Sequence, residues 1–130
     1  MNDDLMHQLW VFLPKGYLFT VCIETPVLLI GLSPPHSWKR RLAAGIWLNA
    51  CSYPIVVIAM PLWFGIDSPA YLPVAETFAP VCECTLFALA FHTADMRRRD
   101  KIRDLITITL ANLASFLLGL WASYEGWLTM

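Results

Sequence analysis

The sequence predicts an all-α fold: a polytopic integral membrane protein with four transmembrane helices, arranged as two parallel helical-hairpin repeats. Three observations carry this expectation. The 130-residue chain is 58% hydrophobic and only 15% charged, whereas a soluble domain carries about a quarter charged residues. Its apolar residues gather into four runs, each near the ~20 residues a helix needs to cross ~30 Å of hydrocarbon. Eight of the nine basic residues fall in two short stretches, Lys39–Arg41 and Arg97–Arg103, so the formal net charge of −1 hides a strong segregation.

The first helix is expected at 16–32, or from 9 if the apolar lead-in LWVFLP belongs to it, with Pro14 and Lys15 as the candidate break. The second is expected at 42–64, the third at 71–92 and the fourth at 105–125, all within a single membrane domain, 1–130. Helices are preferred to strands because lipid offers the backbone no partners and the runs show no period-2 alternation. Pro54, Pro61 and Pro80 each remove a helical hydrogen bond, and Pro26 follows Glu24 by two residues. Kinks for packing are the favoured reading, and discontinuous helices at an ion site the other.

Loops 33–41 and 93–104 carry the basic residues and are separated by two crossings, so they share a side; the positive-inside rule makes that side cytoplasmic. The acidic N-terminus (MNDD), Asp67 and Glu125 then lie outside, as do both chain ends. Trp10, Trp63, Trp121 and Trp127 are expected at the outer boundary and Trp38 at the inner one. The acidic N-terminal residues argue against a cleavable signal peptide. A multi-pass protein of a bacterial inner or plasma membrane is the expected setting.

Two acids interrupt the apolar runs, Glu24 in TVCIETPVLLIGL and Glu83 in PVCECTLFALAF. Each precedes a basic residue by 15 positions, Lys39 and Arg98. In the returning helix, NACSY at 49–53 aligns with NLASF at 112–116. Each half therefore reads as a mid-membrane Glu, a basic loop, then Asn-x-x-Ser-aromatic. Two crossings per half make this a parallel repeat about an axis along the membrane normal. Asn49 and Asn112 pair with Ser52 and Ser115 on the same helix face at i+3. The expected constellation is two carboxyls, two amides and two hydroxyls in an apolar shell.

An ionisable residue in the bilayer costs several kcal/mol unless it is paired, neutral or hydrated. Every Lys and Arg lies at a run boundary, so an isolated Glu24 or Glu83 is most stable as the neutral acid. Three readings stand: a proton- or cation-binding centre, neutral carboxyls hydrogen-bonded across helices to hold the bundle, or pairing with a residue of a partner subunit. Glu76, seven residues before Glu83, extends that face toward the outer surface.

Cys82 and Cys84 flank Glu83, but residues two apart point about 200° apart on a helix, which argues against a shared metal. Cys22 and Cys51 also sit in apolar runs, where packing explains them. His36 and His92 are expected as solvated interface residues and His7 on the outer tail. No metal site, cofactor, catalytic signature or nucleic-acid partner is expected, and the protein is not read as an enzyme. The expected partner is the lipid bilayer, with a homodimer or other membrane subunits. The expected function is a small proton- or cation-coupled transporter or channel-like protein; the alternative is a non-catalytic structural or accessory subunit of a larger membrane complex.

Overall fold

A computed structural model describes residues 3–60, 69 and 71–125. Pro61, Trp63, Asp67 and Trp127, with the end of the second apolar run, lie outside the described residues. Among the described residues all regular structure is helical.

Helix α1 spans Asp3–Gly31, with Asp3 and Asp4 in its first turn, where carboxylates complement the exposed N–H groups. Of the two starts the sequence allows, the earlier one holds: Pro14 and Pro26 both lie inside one continuous helix. Helix α2 spans Trp38–Pro54 and starts ahead of its apolar run, because Ser37 caps it by accepting the Arg40 N–H at 3.2 Å. The first basic stretch is therefore the first turn of α2. Pro54 has no N–H to continue the ladder, and Ile55 bonds back to the Ser52 carbonyl. The chain then winds wider through Ile55–Ala59, where the Met60 N–H reaches the Ile55 carbonyl, a π-helical turn. Helix α3 spans Tyr71–Phe91 with Pro80 inside it, and α4 spans Arg98–Tyr124.

Residues 32–37 close the α1–α2 hairpin and residues 92–97 the α3–α4 hairpin, with matching turns. The His36 N–H donates to the Ser33 carbonyl and the Met96 N–H to the Thr93 carbonyl, both at 3.2 Å. Arg41 closes the first turn by donating to the carbonyls of Leu29, Ser33 and His36 at 2.8, 2.8 and 3.0 Å. Arg103 and Thr107 both donate to the Gly31 carbonyl at 2.9 Å. The Leu29 and Gly31 carbonyls among these are ones that the end of α1 leaves open.

Each helix packs on its two sequence neighbours and α1 on α4, so α1 and α3 stand on one diagonal of a square and α2 and α4 on the other. Leu28, Leu32, Ala44, Leu48, Phe87 and Ile108 fill the interior toward the basic end. Gly45 lets α1 and α2 close together: a Cβ there would overlap Thr25 Oγ1 and lie 3.2 Å from the Thr25 Cα. Outward positions such as Val11, Ile30, Val81, Leu89, Leu110 and Leu117 are exposed and apolar. Four helices are long and apolar enough to cross a membrane. Trp10 and Trp121 are exposed toward the end away from the basic turns, and Trp38 at the basic end.

Candidate functional site

The acids that interrupt α1 and α3 point inward. Glu24 and Glu83 are each only 2% exposed, although the helices carrying them stand on opposite corners of the bundle. Each carboxyl is met by a hydroxyl from the other hairpin. Ser115 of α4 donates to Glu24 Oε2 at 2.5 Å, and Ser52 of α2 donates to Glu83 Oε2 at 3.3 Å. Each also has the amide of its own hairpin beside it, Asn49 next to Glu24 and Asn112 next to Glu83. Exchanging α1 with α3 and α2 with α4 carries one set of contacts onto the other.

Local helical geometry holds the amides in place. Asn49 Nδ2 donates to the Gly45 carbonyl at 2.8 Å and Asn112 Nδ2 to the Ile108 carbonyl at 3.0 Å, both four residues back. These bonds fix each amide along its helix wall. Ser115 Oγ has a second acceptor, the Asn112 carbonyl at 3.0 Å. Asn49, Ser52 and Asn112 are buried and Ser115 partly so.

The two carboxyls lie within electrostatic reach of each other, and Glu76, half-buried, lies within reach of Glu24. All seven polar residues singled out in the sequence thus fall in one region. Their depth differs from the simplest expectation. Because α1 begins at Asp3, Glu24 sits in its last third, about 10 Å before Gly31 at 1.5 Å per residue. Glu83 sits about 12 Å before Phe91 by the same rise, so the pair is level when measured from the basic end. Cys84 Sγ faces the Leu105 carbonyl and Thr109 rather than a thiol, and all four cysteines are free.

A second polar cluster was not anticipated, and it overturns the solvated reading of two histidines. His36 is 2% exposed and Asp104 is fully buried. Asp104 Oδ2 meets His36 Nε2 at 2.8 Å and His92 Nε2 at 2.9 Å, while Oδ1 accepts the Ser33 N–H at 2.8 Å. Phe87 packs edge-on against both imidazoles, at 5.0 and 5.6 Å between ring centres. Hydropathy places these residues at run boundaries, where water is the default neighbour. The turn at 33–36 instead folds over the end of the bundle, and Phe87 and Phe91 roof the rings. His7 is exposed, as expected. Sequence spacing gave no sign of the cluster; the one usable signal was that all three residues lie at the same-side ends of their runs.

No protein-family model, curated protein or solved structure matches the chain.

Proposed function

We propose that the protein is a multi-pass membrane protein that takes up a proton or a monovalent cation at the Glu24–Glu83 pair and moves it as a small transporter or channel-like protein. The observation that carries this reading is the reciprocal burial of two carboxyls, each held by a hydroxyl from the opposite hairpin and flanked by the amide of its own. A purely structural polar contact needs one such pair; two related pairs brought within reach of each other make a site that holds charge in alternative ways. Loss of a proton from one carboxyl, or its replacement by a cation between the two, would be cushioned by Ser and Asn dipoles already aimed there.

The same reading takes the chain as two parallel hairpin repeats related by a two-fold axis along the bundle. The matching turns at 33–36 and 93–96 and the exchange symmetry of the Glu–Ser bonds support the duplication. It places the basic turns in the cytoplasm and both ends outside, by charge bias. Glu76 lies between the pair and the outer end, where it would lead the ion inward. Four helices enclose little volume, so a homodimer is the working form.

The test is ion flux into proteoliposomes under an imposed membrane potential, with H⁺, Na⁺ and K⁺ offered in turn. Flux of one ion, lost in both Glu24→Gln and Glu83→Gln, supports the proposal. Well-folded protein that passes none of the three would favour the accessory-subunit reading instead.

A further inference from the structure

We infer that His36, His92 and Asp104 form a binding site for one divalent transition-metal ion of the zinc class at the basic end of the bundle. Two imidazole nitrogens and one carboxylate are a ligand set that such ions take, with a fourth position left for water. One ligand atom from each residue falls within 4.8 Å of the other two. The residues come from the first turn, the end of α3 and the second turn of α4, so their meeting is a product of the fold and not of local sequence.

The geometry needs little change to admit an ion. With ligands about 2.0–2.1 Å from a tetrahedral metal, neighbouring donor atoms lie about 3.3 Å apart. The two Nε2-to-Oδ2 separations are 2.8 and 2.9 Å, so each opens by about half an ångström on that geometry, while the two Nε2 atoms lie within 4.8 Å of each other. The ligands are held from behind. The Ser33 N–H anchors Asp104 Oδ1, leaving Oδ2 toward the histidines, and Phe87 fixes both rings. Ser33 Oγ is buried beside this carboxylate. The His92 side chain is 9% exposed against 0% for the other two, so the entry path is on its side.

One neighbour opposes the ion. Arg40 Nη1 stands 3.3 Å from His36 Nδ1. A guanidinium only donates, so this Nδ1 carries the lone pair and Nε2 carries the proton that points at Asp104. Metal bound at Nε2 moves that proton to Nδ1, where a ligating histidine wants an acceptor and not a cation. Arg40 is exposed, resting on the Phe91 ring at 4.9 Å, and is free to turn away. Arginine and metal therefore compete for the state of His36.

The test is a cobalt(II) titration of the full chain in detergent after chelation, followed by visible absorption and by zinc competition. The expected result is one ion per chain with nitrogen and oxygen ligation and no thiolate charge-transfer band. His92→Ala should weaken binding by about 100-fold or more, beyond what loss of an outer-sphere partner costs. Arg40→Gln, which removes the cation and offers an amide oxygen, should tighten it several-fold. A structural role for Arg40 alone would not produce that gain. Absence of cobalt binding, binding untouched by His92→Ala, or a thiolate band marking the cysteines as the ligands would each overturn the assignment.

Discussion

Asp104 offers the sharpest stability test of the packing. It accepts three hydrogen bonds at 2.8, 2.8 and 2.9 Å from donors contributed by the first turn and the end of α3. Asp104→Ala removes all three hydrogen bonds at once. The Ser33 N–H and His36 Nε2 are buried and cannot reach water, whereas His92 lies at the edge and can. An orphaned buried donor costs about 1–3 kcal/mol, so two full losses and one partial loss amount to about 2–7 kcal/mol. His92→Ala removes one donor and leaves Asp104 with two, for about 1 kcal/mol of hydrogen bonding. The His92–Asp104 bond is lost in each single variant and only once in the double, so the two effects should fall short of additivity by about 1 kcal/mol. Denaturant titration of the chelated protein in detergent, followed by tryptophan fluorescence and circular dichroism, reads these values. If Asp104→Ala costs no more than about 1 kcal/mol on the same scale, or the pair is strictly additive, the three-donor geometry is wrong.

Other perturbations follow from individual contacts. Thr25 Oγ1 is buried with no hydrogen-bond partner among the described residues, so Thr25→Val should raise stability by about 1 kcal/mol in the same titration. Gly45→Val drives a side chain into Thr25 and its backbone; it should cost about 1–3 kcal/mol and lower the thermal midpoint. Ser52→Ala and Ser115→Ala each delete one inter-helix bond to a carboxyl. Each should cost below about 1 kcal/mol, as for polar contacts between membrane helices, and move the infrared carbonyl band of its own Glu to higher frequency. Glu24→Gln preserves shape and an acceptor for Ser115, so it should leave helicity and detergent extraction unchanged while abolishing ion flux.

The number and order of helices were legible because hydropathy alone marks segments of this length. Their starts were not. Capping by Ser37 draws Trp38–Arg41 into α2, and the polar residues from Asp3 onward extend α1, neither of which an apolar run reports. The Glu–Ser–Asn sets were legible because polar side chains inside apolar runs have few ways to be satisfied, and the duplicated order suggested which would meet. The exchange between hairpins was not: Ser115 bonds the acid of the first hairpin and Ser52 that of the second. His36, His92 and Asp104 were hidden by their place at run boundaries. Their burial is made by the α1–α2 turn and by Phe87, long-range packing that no periodicity encodes. Arg41 and Arg103 read in the sequence as topology markers, and in the structure they also bond carbonyls at and beyond the end of α1.

The central claim is that Glu24 and Glu83 form one shared proton or cation site. Infrared difference spectroscopy of the protein in lipid across a pH titration, with Glu24→Gln and Glu83→Gln in parallel, tests it most directly. The account predicts a protonated-carboxyl band that titrates, with each substitution shifting the transition of the remaining acid. A band that stays constant across the range, or two transitions indifferent to each other's substitution, would contradict it and leave the carboxyls as neutral packing elements.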